Sequence, residues 1–174
     1  MIRDVNETGK IDDNIISHID ELEAIIKRAY WIENEFESMI AWDAYTQIDD
    51  SKRDILYKLA HDSEKHKTKV KKLIKNLKGL DVDNIRKDMR EKQFDLKQRA
   101  ADSEIFTSVL KGDLLALDLY TKLNSYTSEK LLEDRWMGDK DEYYSILESL
   151  IKEEKDHIKQ LKPYAYIGKI ERIK

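Results

Sequence analysis

Apolar residues recur every three or four positions through most of this chain, which is the period of one face of an α-helix. Near the N-terminus one seam runs Ile19, Leu22, Ile26, Ala29, Glu33, Phe36 and Ile40, and a second runs Leu56, Leu59, Ser63, His66, Val70, Leu73 and Leu77. A third carries Phe106, Leu110, Asp113, Leu117 and Tyr120, and a fourth carries Leu147, Leu150, Ile151, Glu154, His157, Ile158 and Leu161. Polar and glycine punctuation separates them. Asp12 to Asn14 supply capping oxygens ahead of the first seam, and Asp49-Asp50-Ser51 divides it from the second. Gly79 stops the second, while Gly138 and Pro163 bracket the fourth. The pattern predicts helices near residues 15–48, 52–78, 100–133 and 139–162.

The stretch from Leu80 to about Arg99 is highly charged and offers only Ile85, Met89, Phe94 and Leu96 for burial. It reads as a crossover connection, partly helical. Short links within each helix pair and one longer link between the pairs are what two hairpins joined by a crossover require. The expected fold is all-α: a single antiparallel four-helix bundle domain with its core at about 15–162 and a short C-terminal tail.

Composition narrows the chemistry. At 174 residues the chain can bury a full core without staples, and it has no Cys. Disulfides, thiolate metal sites and a cysteine nucleophile are therefore excluded, and any metal must use histidine and carboxylates. One Pro, five Gly and 39% charged residues suit long helices. A net charge of -4 with both signs interspersed provides no broad basic face for nucleic acid, and the basic tail of Lys159, Lys162, Lys169, Arg172 and Lys174 reads as solvated. No apolar run approaches the roughly 18 residues of a membrane span, and Met1 to Val5 lacks a signal-peptide core, so a cytoplasmic protein is expected.

The polar residues inside the seams carry the functional signal. Glu154 and His157 lie one turn apart where their neighbours point inward, and an unpaired buried carboxylate must be protonated, paired or bound to a metal. Ala60 to His66 aligns without a gap with Ile151 to His157, so His66 matches His157 while Ser63 stands where the second copy has Glu154. Asp62, four residues before His66, can still share its face. The first seam offers Glu33, with Glu37 as a substitute one turn later; the third offers Asp113, with Asp118 off the row. The candidate ligands are thus Glu33, Asp62, His66, Asp113, Glu154 and His157. A plainer reading stands beside this one, because a Glu-rich chain produces one Glu-x-x-His readily by chance. His18 and His61 fall at surface or edge positions, and the aromatic residues read as packing, with Tyr45 and Tyr120 able to face the site.

On Glu154-Lys155-Asp156-His157, the cognate Ser63-Glu64-Lys65-His66, Glu33, and Asp113 with Tyr120 seven residues on, the chain resembles the ferritin-like superfamily. The likeness is to its rubrerythrin-like or erythrin branch without a rubredoxin module, over about residues 15–162, with one Glu-x-x-His motif intact. The resemblance implies a di-iron or di-manganese centre that reduces peroxide or reacts with dioxygen. It makes Glu33 and Asp113 terminal or bridging carboxylates, Glu154 a bridging carboxylate, and His66 and His157 the imidazole ligands. Ser63 removes one bridge, and Asp113 is one methylene shorter than the family's Glu.

Three functional classes follow. The first is a metal-dependent oxidoreductase of the rubrerythrin type, with a small redox protein as electron donor. The second is iron binding or storage. The third is a degenerate bundle that has lost its metals and serves a structural or partner-binding role. Of these, the first is preferred, because a lost site should have drifted to apolar residues. Trp31, Trp42 and Tyr30 are candidates for an outer apolar face through which two copies associate as a dimer.

Overall fold

The structure, a computed structural model, describes residues 15–35, 48–88 and 102–165. Among the described residues there are six helices and no strand: α1 (Ile19–Glu35), α2 (Asp50–Asn76), α3 (Val82–Asp88), α4 (Asp102–Tyr126), α5 (Glu129–Arg135) and α6 (Lys140–Leu161). The four long helices each pack on two others, α1 on α2 and α4, and α6 on α2 and α4. α2 and α6 run in opposite directions. Along α2 and α6, Lys58 meets Gln160, His66 meets Glu153, and Lys72 meets Glu142, so ascending numbers on one helix face descending numbers on the other.

The seams explain this packing. All seven residues of the second seam, Leu56 through Leu77, are buried, as are Leu22, Ile26, Ala29 and Glu33 of the first. The fourth seam is buried except for Ile151, which is half-buried. Burying an apolar side chain contributes about 1.5–3 kcal/mol, which supports carrying polar residues among them. α3 lies within the predicted crossover and packs on α2, with Ile85 buried. No described helix is long and apolar enough to cross a membrane.

Two expectations need correction. The third helix does not run unbroken to residue 133: α4 ends at Tyr126, and α5 restarts at Glu129. The Thr127 hydroxyl donates back to the Leu123 carbonyl, and Ser128 Oγ caps α5 by accepting from Leu131 N–H at 3.1 Å. Side chains of this kind compete with the helical ladder and favour a restart. The freed backbone of the break is used by Ile16, whose N–H donates to Tyr126 O at 2.8 Å and whose carbonyl accepts from Ser128 N–H at 2.9 Å. At the other end of α5, Lys78 N–H donates to Arg135 O, and Met137 N–H donates to Asn76 O, pinning the end of α2 to the turn before α6. Gly79 (φ 94°) and Gly138 (φ 133°) supply the backbone turns that residues with a Cβ rarely adopt.

The second correction concerns the outer aromatic face. Tyr30 is fully buried and so takes no part in an outer face, while Trp31 is half-buried against the core. Trp42, Tyr45, Glu37 and the predicted helix beyond Glu35 lie outside the described residues up to residue 47.

Candidate metal centre

Five side chains from four helices converge in the core: Glu33 from α1, His66 from α2, Asp113 from α4, and Glu154 and His157 from α6. Their seams place them there, each being buried at a position its apolar neighbours also occupy. The two imidazoles lie at one level, stacked with ring centroids 5.3 Å apart and planes inclined by 26°. Glu154 sits between them. Its Oε1 is 2.9 Å from His66 Nδ1, and its Oε2 is 3.8 Å from His157 Nδ1. Glu33 Oε1 lies 3.5 Å from His66 Nδ1, and Asp113 Oδ2 lies 4.0 Å from His157 Nδ1.

Both Nδ1 atoms therefore face the carboxylates of the core, while both Nε2 atoms face a different pair. His66 Nε2 meets Glu153 Oε2 of α6 at 2.8 Å, and His157 Nε2 meets Asp62 Oδ2 of α2 at 3.2 Å. The arrangement is crossed and reciprocal. Asp62 precedes His66 by four residues and holds His157; Glu153 precedes His157 by four residues and holds His66. Each of these carboxylates is held by lysine in turn, Lys65 on Asp62 and Lys69 on Glu153, with the Ser149 hydroxyl also donating to Glu153. A carboxylate accepting from Nε2–H fixes the ring and leaves the Nδ1 lone pair for a ligand.

Electrostatics separate the acids. Burial pushes the Asp113 carboxyl well above the usual carboxylate range, and the charges of Glu154 and Glu33 add to it. Burial likewise raises Glu33, with His66 opposing. Glu154 is also buried, but its contacts with His157 and His66 outweigh desolvation and hold it below its ordinary value. For His66, burial disfavours the imidazolium, yet Glu154 and Glu33 outweigh it and raise the ring to about 10. Tyr120 donates to Glu33 Oε1 at 2.5 Å, and burial followed by the Glu33 charge pushes its phenol well up.

The residues fit a cation. Asp113 Oδ2 and Glu154 Oε2 are buried and have no hydrogen-bond partner, and buried His66 Nδ1 has only the ionic contacts with Glu154 at 2.9 Å and Glu33 at 3.5 Å. Buried polar atoms are otherwise almost always partnered, and leaving one bare costs about 1–3 kcal/mol. His66, Glu154 and His157 each offer a ligand atom within 4.8 Å of the others, a group that can hold a metal ion. An all-nitrogen-and-oxygen donor set suits a divalent ion such as zinc, iron, manganese or copper.

Of the residues singled out from sequence, Glu33, His66, Asp113, Glu154 and His157 are brought together in the core, with Asp62 behind His157 at its Nε2. Ser63 is buried on α2 at the place equivalent to Glu154. Asp118 is exposed and pairs with Lys122, so Asp113 is the carboxylate that α4 supplies. Tyr120 faces the site through Glu33, and His18 and His61 are exposed. Sequence reasoning missed Glu153, although the ungapped alignment of Ala60–His66 with Ile151–His157 sets it opposite Asp62. No protein-family model, curated protein or solved structure matches the chain.

Proposed function

We propose that the protein is a metal-dependent oxidoreductase of the ferritin-like, rubrerythrin-like kind, an antiparallel four-helix bundle whose iron or manganese centre acts on peroxide or dioxygen. The observation that carries this reading is the buried group of His66, Glu154 and His157, whose ligand atoms lie within 4.8 Å of one another between two stacked imidazoles. The metal would supply the electrons that O–O cleavage needs. His66, His157 and Glu154 would hold it, with Asp113 and Glu33 beside them. Asp62 and Glu153 would keep both rings turned inward, and the apolar seams would exclude water. Tyr120 would hold Glu33 and so limit its reach. Turnover would call for an outside reductant, consistent with a small redox protein as partner.

A second reading rests on His66 itself. Lying between Glu153 and Glu154, with Glu33 adjacent, a charged His66 forms a buried ion cluster that can persist without metal. Ser63 in the place of a ligand belongs with that reading, in which the fold is structural or binds a partner. Loading metal-free protein with iron(II) or manganese(II) and following peroxide consumption with a reductant separates the two. Consumption by loaded protein that is lost in Glu154→Ala supports the oxidoreductase, whereas equal rates for loaded and metal-free protein remove it.

A further inference from the structure

We infer that the centre is built for one metal ion and not two, with His66, His157 and Glu154 forming a two-histidine, one-carboxylate set around it. The inference rests on the metal-binding reading above and concerns how many ions these residues take. Ligand atoms on one first-row ion lie about 2.1 Å from it, so no two of them are more than about 4.2 Å apart. One ligand atom from each of His66, His157 and Glu154 falls within 4.8 Å of the other two, so modest side-chain adjustments bring them onto a single ion.

A bridged pair of ions needs more than this chain provides. Two ions about 3.5–4 Å apart are held by carboxylates that span them, one on each side. Glu154 can span, but its counterpart on α2 is Ser63, whose Oγ ends two bonds short of a glutamate carboxylate oxygen and carries no charge. Glu33, the remaining carboxylate on the α2 side, has Oε1 already engaged by the Tyr120 hydroxyl at 2.5 Å. The three buried carboxylates, Glu33, Asp113 and Glu154, bring three negative charges against the four positive charges of two divalent ions in a dry core. A two-histidine, one-carboxylate set also leaves adjacent positions open on the metal. Asp113, 4.0 Å from His157 Nδ1, stands beside that set. The ligand class that enters the open positions is a small oxygen-donor molecule such as dioxygen or peroxide.

Anaerobic titration of the metal-free full-length protein with manganese(II), read by calorimetry and by electron paramagnetic resonance on the same samples, tests this. The expected result is saturation near one equivalent with a six-line spectrum of isolated manganese, and a rise towards two equivalents with an exchange-coupled multiline spectrum in Ser63→Glu. Two equivalents with a coupled spectrum in the natural sequence would overturn the single-ion centre while leaving the metal-binding reading intact. No binding in the natural sequence would overturn both. If Ser63→Glu does not fold, the stoichiometry and spectrum of the natural sequence decide the matter alone.

Discussion

His66 Nε2 and Glu153 Oε2, from facing helices, lie 2.8 Å apart, and this contact has a mirror in His157 and Asp62 at 3.2 Å. Together the two pairs lock both imidazoles with Nδ1 towards the core. Outer-sphere carboxylates of this kind typically contribute a factor of about 10–100 in metal affinity. Glu153→Gln and Asp62→Asn are each expected to weaken manganese(II) binding by about that factor while the protein stays folded by circular dichroism. Unchanged affinity in both variants would show that the crossed pairs do not orient the rings for a ligand.

The Tyr120 hydroxyl is the hydrogen-bond donor placed on Glu33 Oε1, and both groups are buried. Tyr120→Phe leaves that oxygen only the longer contact with His66 Nδ1 at 3.5 Å, which costs about 1–3 kcal/mol of stability. Urea denaturation of the metal-free protein should show a lower midpoint with an unchanged slope. A midpoint equal to that of the natural sequence would mean that Glu33 finds another donor or is carried neutral.

Stability of the metal-free protein should fall as pH rises. His66 is raised from 6.5 to about 10, so its contribution is fully present below 6.5 and is lost as pH passes through about 10. Asp113 and Glu33, also raised, act in the same direction from the ordinary carboxylate range upward. Glu154, Asp62 and Glu153 are lowered and are ionised in both folded and unfolded states at neutral to alkaline pH, so they change nothing there. Metal reverses the trend, because binding displaces the His66 proton and tightens as pH rises. Melting temperatures across neutral to alkaline pH, with and without manganese(II), check both signs. A metal-free melting temperature that climbs with pH would contradict the charge assignment of His66.

Much of this fold was legible because helical seams obey a simple period. Leu56 to Leu77 could be placed inside from spacing alone, and Ser63 and His66 with them. Asp113 was favoured over Asp118 for the same reason, since only the former shares the row of Phe106 and Leu110, and burial decides between them. The break at Thr127 was not legible as a seam interruption. Its signal was Ser128 followed by Glu129, a cap and an early acid, inside a stretch whose apolar residues continue through Leu131 and Leu132. Glu153 escaped because it sits beside the seam, half-exposed, where a carboxylate ordinarily needs no explanation. Its role depends on α2 lying opposite, which is tertiary information. Tyr30 was offered for an outer apolar face, whereas it shares the inward face of Ile26 and Glu33.

The metal content of protein produced with iron and manganese supplied, and purified without chelator, tests the central claim most directly. The account predicts about one equivalent of iron or manganese in the natural sequence and at least about a tenfold loss in Glu154→Ala, which removes the carboxylate shared by both histidines. Less than about a tenth of an equivalent in the natural sequence after attempted reconstitution, or equal content in the variant, would contradict it.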